Sequence, residues 1–451
     1  MQRLRAMFRI LFIYHPTARL DLFASFPFIK RFFSNRNNLA VVRTFGDIAF
    51  TCLILLGLFG PQDPKRNITL FLAWGIWWSG VVLSWFFVGK FWCGVCPFLG
   101  VGKLLQHFGL SLNLDPPKTL RKYFIHISVF FFAAIIWAES VMDMKHWPLG
   151  TALLLLAILL GATLMSVFYK GQAWCRYICP LGKIIGAGAT MSMIELRSDE
   201  SQCRTCRSFA CKKGRDKQQG CPIYLGAHNV KNSQDCLICG RCVLLCDNQS
   251  PRLLLRNPFV ELVSDKGRDR TYSLIIPFLA GSQWARYIHE NQWYNGVEAK
   301  FFCGSWGSFS LLLVLCFVVF LCIIRLGNHL IIHPCSDKTD HNLPMIHVLL
   351  PLAFSGELIY RLKYLLSEAG QFPTVFGRQF GIDFERFSFT VPSNTLMIFS
   401  VTILSLGILG SLYTTRLFRQ TIEKESPANN SFRAVQALVG LVALVYLLLI
   451  L

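Results

Sequence analysis

Long apolar runs constrain the fold of this chain more than any other feature of its sequence. A helix needs about 20 apolar residues to cross the hydrocarbon core of a bilayer. Runs that approach this length lie near residues 45–59, 68–88, 123–141, 149–169, 309–324, 345–366, 396–412 and 434–451. Hydrophobic residues make up 53% of the 451 residues and charged residues only 16%. We therefore predict a mainly α, polytopic membrane helical bundle with seven or eight spans.

Positive charge sets the expected orientation of these spans. The formal net charge is +20, and beside long apolar runs this charge indicates contact with anionic lipid, not with nucleic acid. Residues 1–44 combine eight basic side chains with one acid and several phenylalanines, so we expect a basic amphipathic arm on the inner leaflet. Lys90 and Lys170 follow the second and fourth runs. By the positive-inside rule, both turns should face the cytoplasm of a bacterial inner membrane.

Eight cysteines between residues 203 and 246 form the second strong pattern. The last four are spaced C-x2-C-x2-C-x3-C, which is typical of ferredoxins with two 4Fe-4S clusters. The first four have the stretched spacing C-x2-C-x4-C-x9-C-P. In such patterns three close cysteines bind one cluster and the distant fourth binds the other. We predict that one cluster is held by Cys203, Cys206, Cys211 and Cys246, and the second by Cys236, Cys239, Cys242 and Cys221.

Zinc sites or disulfides are the alternatives for this stretch. Zinc accepts C-x2-C pairs but has no use for a third cysteine two residues later, and it often recruits histidine. Only His228 lies within the stretch. Cluster ligation needs thiolates and a reducing compartment, so we expect a ferredoxin-like domain that is inserted on the cytoplasmic side. Asp247 follows the last cysteine where ferredoxins usually carry proline, which changes the turn there but not the ligands.

Two further cysteine pairs follow the second and fourth apolar runs. Each pair combines a Trp-Cys with a Cys-Pro, in Cys93-x2-Cys96-Pro97 and in Cys175-x3-Cys179-Pro180. The repetition predicts duplicated N-terminal hairpins that bring four thiols together at the cytoplasmic rim. These thiols could ligate a third iron-sulfur or other metal centre, act as redox dithiols, bind copper transiently, or simply pack as small hydrophobes.

Other polar residues suggest weaker sites. His329, His333 and Cys335 could bind copper or zinc in a loop after the fifth run, although Pro334 interrupts a helix there. We expect neither a haem nor a flavin. A haem would need a second histidine at the depth of His126, and residues 188–190 fit simple packing.

Ionisable side chains at membrane depth are costly and often functional. His126 and Glu139 are therefore candidates for a quinol site, because quinol oxidation releases protons that need acceptors. For Glu139 the simpler explanation is solvation near the outer surface. Glu357 has Arg361 one helical turn later, which favours an internal ion pair.

Hydropathy divides the chain into five consecutive segments. They are the basic arm (1–44), the duplicated two-span units (45–194), the ferredoxin-like domain (195–257), a soluble or interfacial connector (258–305) and the C-terminal membrane helices (306–451). The connector has aromatic side chains suited to a headgroup region, and its role cannot be read from the sequence.

The cysteine motifs resemble those of a known family of polytopic membrane ferredoxins. This family has duplicated cysteine-proline motifs and occurs beside periplasmic nitrate reductase and in the membrane part of the nitrous-oxide-reductase regulator. The cytochrome-oxidase assembly cupric reductase looks like a related protein. The resemblance covers residues from about 45 to 250 and rests on both cysteine pairs and the eight ferredoxin cysteines. The first pair is one residue shorter than the usual x3 spacing.

This resemblance implies electron transfer between the quinone pool and a redox partner protein, with cytoplasmic clusters as the relay. The residues alone indicate a membrane-anchored electron carrier with two clusters and a possible third centre. Two alternatives stay open at this point. The protein could be a membrane copper reductase for cofactor assembly that uses the paired cysteines, or a redox-sensing membrane protein.

Overall fold

The computed structural model describes residues 2–13, 15–215, 218–264, 273–300, 304–332, 344–422 and 429–451. Within these ranges, eight helices are long and apolar enough to cross a membrane. They are Arg36–Phe59 (α1), Phe71–Val88 (α2), Lys118–Val141 (α3), Pro148–Phe168 (α4), Gly304–Ile332 (α5), Pro344–Ala369 (α6), Ser393–Ile422 (α7) and Asn429–Ile450 (α8). The chain is therefore a mainly α, multi-pass membrane protein, as the apolar runs predict.

Shorter elements connect these helices. The α-helices among them are Gln2–Phe12, Leu22–Ser25, Pro27–Ser34, Phe91–Gly94, Gly100–His107, Pro180–Gly188, Glu200–Arg204, Ala210–Lys213, Arg241–Leu245, Val260–Val263, Ile275–His289, Gln292–Glu298 and Phe372–Phe380. Turns of 3-10 helix lie at Pro64–Arg66, Pro97–Leu99, Ala189–Met191, Ala227–Asn229 and Glu385–Phe387. Stretches of π-helix lie at Phe71–Trp77, which begins α2, and at Trp174–Ile178. The part of the chain that the structure describes contains three strands, at Arg19–Asp21 (β1), Ile194–Ser198 (β2) and Pro251–Arg256 (β3).

The described chain forms two compact units, and neither is continuous in sequence. The first contains Met1–Ile54, Leu83–Ser128 and Leu154–Gly267. The second contains Leu55–Val82, Val129–Leu153 and Arg268–Leu451. The division therefore differs from the five consecutive segments that hydropathy predicts, because single membrane helices contribute to both units.

The N-terminal segment is part of the core of the first unit. The three strands form an antiparallel sheet in the order β1-β3-β2, in which Arg19 pairs with Arg256. Phe23 and Phe33 are buried in the same apolar cluster as Leu253. The sequence predicts a basic arm on a lipid surface for residues 1–44. Residues 19–39 are thus not a free arm, because β1 pairs with an edge of β3 and Phe23 and Phe33 cover the sheet. Contact of this segment with the lipid surface stays a prediction.

A buried helix lies at the centre of the second unit. Ile275–His289 packs against α5 and α6, and nearly all of its side chains are buried. A Cβ on Gly281 would lie 2.9 Å from the backbone carbonyl of Cys316, so a residue without a side chain lets the two helices approach closely. The predicted soluble or interfacial connector over 258–305 is therefore wrong for this segment. Its low hydropathy comes partly from Gln283 and Arg286, which have partners inside the unit.

Candidate iron-sulfur sites and a buried charge network

The first predicted ligand set, Cys203, Cys206, Cys211 and Cys246 (quartet 1), comes together in the structure. The Ser250 hydroxyl lies 3.2 Å from the Cys203 sulfur, and the Ser250 backbone N–H donates to the Cys246 sulfur at 3.4 Å. The Cys211 thiol interacts electrostatically with those of Cys246 and Cys206. The fourth ligand, distant in sequence, thus lies beside the three close ones, as the crossed ferredoxin pattern predicts.

The second predicted set, Cys221, Cys236, Cys239 and Cys242 (quartet 2), lines one cavity. Apolar side chains such as Leu196 and Ile223 complete the wall of this cavity. The Cys242 thiol interacts with the other three thiols of the set and also with Cys211 of quartet 1. Four cysteines around an apolar cavity fit the requirements of a 4Fe-4S cluster, which takes one thiolate per iron.

The cysteine loops of quartets 1 and 2 each contain a residue in the left-handed backbone conformation. Ile238 has φ 47° and Phe209 has φ 48°, which is unusual for residues with a side chain and especially for a β-branched one. The Ile238 N–H bonds to the Cys236 sulfur, and the Phe209 N–H bonds to the Cys206 sulfur. The left-handed conformation thus accompanies an N–H bond to a cysteine sulfur in both loops, and hydrogen bonds of this kind would tune the reduction potential of a bound cluster.

Two cysteine pairs from the duplicated segments, Cys93, Cys96, Cys175 and Cys179 (quartet 3), also come together. The Cys175 thiol interacts electrostatically with all three others. In both repeats the turn after Cys-Pro donates a backbone N–H to the sulfur. Phe98 donates to Cys96, and Gly182 donates to Cys179 at 3.3 Å.

A π-helix explains how pairs of unequal spacing form one site. The first pair begins in an ordinary α-helical turn, Phe91–Gly94, whereas the second begins in the π-helix Trp174–Ile178 and ends at Cys179, directly after it. A π-helix accommodates one more residue in a helical turn. The π-helix can therefore absorb the extra residue between Cys175 and Cys179 in the backbone.

Burial raises the pKa of several of these thiols and so disfavours their thiolate form. It raises the pKa of the Cys93 and Cys236 thiols to about 12. A metal centre must therefore displace protons when it is ligated by these sulfurs. Among the described residues, no group of three or more Cys, His, Asp or Glu side chains is gathered tightly enough to hold a single metal ion.

Basic side chains surround quartet 3, and the sequence prediction missed their role. Lys90 and Lys183 are both buried, and both interact electrostatically with the Cys93 and Cys179 thiols. The pKa of Lys183 is lowered to about 8. Burial is the larger cause, and the positive charge of Lys90 is the second. Positive charge near sulfur favours the thiolate form. The signal in the sequence was a lysine three residues before Cys93 and another four residues after Cys179.

The candidate quinol-site residues have different surroundings. His126 is exposed on α3, where its ring contacts Tyr123. Glu139 is buried, and both of its carboxylate oxygens accept hydrogen bonds from Arg361 at 2.5 and 3.0 Å. The expectation that Glu139 is solvated is therefore wrong. Its carboxylate is paired inside the second unit, because Arg361 reaches it from α6.

The expected ion pair between Glu357 and Arg361 is confirmed, with a distance of 2.9 Å, and it belongs to a larger network. Arg286 also binds Glu357. Lys145 lies 3.8 Å from the Glu139 carboxylate. Lys145 then donates to Glu290 at 3.0 Å and to the Tyr360 hydroxyl at 2.8 Å. Three acidic and three basic side chains thus balance in charge within one helical unit, which a buried network requires.

The predicted metal site after α5 is only partly within the described structure. His329 is exposed near the end of α5. His333 and Cys335 lie outside the described residues. A metal site there stays a prediction from the sequence.

Comparisons with known proteins agree with the cysteine motifs. Residues 70–113 and 151–186 match a family described as a 4Fe-4S binding domain, and these segments contain the four cysteines of quartet 3. The comparison with solved structures gives no match.

Three relatives illustrate the range of similar proteins. An uncharacterized protein of Methanocaldococcus jannaschii is 26% identical over 168 residues, which cover 37% of this chain and 64% of the relative. YccM of Escherichia coli, which is named for electron transport, is 26% identical over 153 residues, covering 33% of this chain and 38% of the relative. The ferredoxin-type protein NapH of Escherichia coli is 29% identical over 166 residues, covering 34% and 57%.

This chain thus spans less than two thirds of the length of each of these relatives. The matched segments, the eight membrane helices and the cysteine motifs nevertheless agree with one another. The chain is thus a multi-pass membrane protein that contains a 4Fe-4S binding domain and is similar to membrane proteins named for electron transport or as ferredoxin-type.

Proposed function

We propose that this protein passes electrons between the quinone pool and a redox partner protein through two 4Fe-4S clusters, held by quartets 1 and 2, and a third centre held by quartet 3. The observation that supports this most is the grouping of twelve cysteines into three sets of four within one compact unit. When bound, the clusters supply one-electron transfer. The protein chain supplies thiolate ligands, N–H donors to sulfur, and buried positive charge.

A third iron-sulfur centre is the reading that fits quartet 3 best. Its cysteines lie in the segments that match the 4Fe-4S binding domain. In each repeat the second cysteine accepts a backbone N–H from the turn that follows it. A copper-reducing site would use the same soft sulfur ligands. The two alternatives differ in their metal content.

The charge network of the second unit is the proposed place of quinol chemistry. Quinol oxidation releases two electrons and two protons, and the protons need acceptors. Glu139 and Glu357 are buried carboxylates. Lys145 lies 3.8 Å from the Glu139 carboxylate and donates a hydrogen bond to Glu290, whose side chain is 51% exposed, so the network continues toward a more exposed position. Buried carboxylates at membrane depth are commonly part of proton relays.

The location that this proposal requires is a bacterial inner membrane with the quartets on the cytoplasmic side. Cluster ligands must stay reduced, and the cytoplasm keeps thiols reduced. Lys90, Lys103 and Lys183 lie near the quartets, in agreement with the positive-inside rule.

Reduction by a quinol analogue tests the proposal. Anaerobically purified protein in detergent is mixed with menadiol, and reduction of the clusters is followed by visible absorbance and EPR. We expect cluster reduction in the wild type and its loss in Glu139→Gln, with the absorbance of oxidised clusters unchanged. Exposed Glu385, in an ion pair with Arg378, gives the control variant Glu385→Gln.

Two outcomes would contradict the proposal. If dithionite reduces the clusters but no quinol analogue does, the protein does not exchange electrons with the quinone pool. Stoichiometric copper binding that is lost in Cys96→Ser and Cys179→Ser, without quinol-dependent reduction, would favour the copper reductase instead.

A further inference from the structure

A glycine lies where the first cysteine pair meets the ferredoxin region. Gly94 stands between Cys93 and Cys96, and a Cβ there would lie 2.7 Å from the Leu237 carbonyl oxygen and 3.1 Å from the Cys239 Cα. Both distances are too short for a real side chain next to backbone. The backbone that carries the quartet 3 ligands therefore touches the backbone of a quartet 2 ligand directly.

Arg43 joins these two backbones. Its guanidinium donates to the Gly94 carbonyl and to the Cys239 carbonyl, each at 3.1 Å. Arginine suits this place because its planar group offers several donors in a fixed geometry, which a lysine ammonium does not. One side chain thus fixes the separation of the two cysteine loops.

Two buried lysines hold the same loop from other directions. Lys90 donates to the Gln234 carbonyl at 2.8 Å, and Lys183 lies 4.0 Å from the Asp235 carboxylate. These lysines are only 3% and 4% exposed. Lysine is rarely buried so deeply without a specific partner. Cations from three separate elements therefore converge on the segment that leads to Cys236 and Cys239.

We propose that the contact among Gly94, Arg43 and Cys239 is the electron-transfer junction between quartet 3 and quartet 2. Electron tunnelling falls steeply with distance, so two loops in backbone contact offer a short path between these sites. The path continues to quartet 1, because Cys242 neighbours Cys211 and the Cys221 N–H donates to the Cys211 carbonyl at 2.9 Å. This inference rests on the proposed function, in particular on a redox centre at quartet 3.

The proposed step transfers a single electron between the two centres and changes no covalent bond. One electron leaves the centre at one quartet, which is oxidised by one unit, and enters the centre at the other, which is reduced by one unit. No bond forms or breaks, and no proton is transferred between the loops. A quinol is the donor class and a redox partner protein the acceptor class, and the same junction serves the reverse direction.

Two variants test the junction, each with a matched control. Gly94→Ala places a methyl group against Leu237 and Cys239, and its control is Gly46→Ala, where the new Cβ would lie an ordinary 3.7 Å from the Val95 carbonyl. Arg43→Lys keeps the charge but cannot bond both carbonyls as the guanidinium does. Its control is Arg36→Lys, at an exposed position on the same helix.

The measurements separate electron transfer from folding and from cluster content. Iron and sulfide content is measured first, then the magnetic interaction between reduced clusters by EPR, and then the rate of electron redistribution after flash photoreduction. We expect unchanged iron in all four variants. We expect a weaker magnetic interaction and severalfold slower redistribution in Gly94→Ala and Arg43→Lys, with wild-type behaviour in both controls.

Each contrary result has a definite meaning. If Gly94→Ala loses iron, Arg43→Lys alone decides the question. Unchanged redistribution and magnetic interaction in an iron-replete Arg43→Lys would overturn the junction and leave the proposed function intact. If the Cys96→Ser variant contains as much iron as the wild-type protein, quartet 3 does not hold an iron-sulfur centre. That result would overturn the junction together with the third centre, while the two ferredoxin clusters would still be supported by their own iron.

Discussion

At the scale of single residues, Arg361 shows how this chain keeps charge inside a membrane unit. It pairs with Glu139 and Glu357, and its guanidinium lies 4.8 Å from the ring centre of Trp78. A buried charge that loses one partner is strongly destabilising, because the remaining charge stays uncompensated. Arg361 has two carboxylate partners, and each contributes to keeping it charged at this position.

Removal of Glu139 should therefore destabilise the second unit. We expect Glu139→Ala to lower the free energy of unfolding by about 3 kcal/mol, because it breaks a buried pair and leaves Arg361 with Glu357 as its acidic partner. Denaturant unfolding in detergent, followed by tryptophan fluorescence, measures the change.

The exposed pair between Arg378 and Glu385 provides a comparison in the same unit. Glu385→Ala should cost less than about 1 kcal/mol, since exposed pairs are screened by water. Equal effects of the two substitutions would show that the Glu139 pair is not buried as described.

At the scale of elements, the π-helix Trp174–Ile178 allows two cysteine pairs of unequal spacing to contribute to one site. Its extra residue lets a C-x3-C pair match a C-x2-C pair. The 3-10 turn Pro97–Leu99 and the helix Pro180–Gly188 then begin at equivalent prolines. The motif spacing in the sequence revealed the repetition, but it could not reveal where the additional residue is accommodated.

Deletion of Ile178 tests this role of the π-helix. The deletion gives the second pair the x2 spacing of the first, so the turn should become α-helical and Cys179 should keep its place in quartet 3. We expect the iron of all three quartets to be retained, as measured by iron analysis and EPR. The substitution Ile178→Val, which keeps the length, is the control. Loss of the quartet 3 iron in the deletion variant alone would show that the π-helix does more than absorb the extra residue.

At the scale of the whole molecule, the sequence predicts features that depend on local pattern. Apolar runs are long enough to define eight helices, and the predicted ligand sets meet because cysteine spacing limits how a loop can surround a cluster. Long-range partners were less predictable. The burial of Phe23 depends on a sheet whose other strands begin at Ile194 and Pro251, and the burial of Arg286 depends on Glu357, seventy-one residues later.

The network in the second unit illustrates the same limit. Glu139 could be identified as costly at membrane depth, but its partner is 222 residues away in sequence. The sequence did not indicate that Lys145 and Glu290 belong to this network, because each lies in a polar segment where charged residues are common. Helical periodicity finds a partner one turn away, as for Glu357 and Arg361, and nothing in a single sequence finds one on another helix.

Iron and acid-labile sulfide analysis of the anaerobically purified protein tests the central claim most directly. Three cubane clusters predict about twelve irons and twelve sulfides per chain, falling to about eight of each in a Cys96→Ser variant that lacks the third centre. A colourless wild-type protein without iron or sulfide, isolated under conditions that preserve such clusters, would contradict the account.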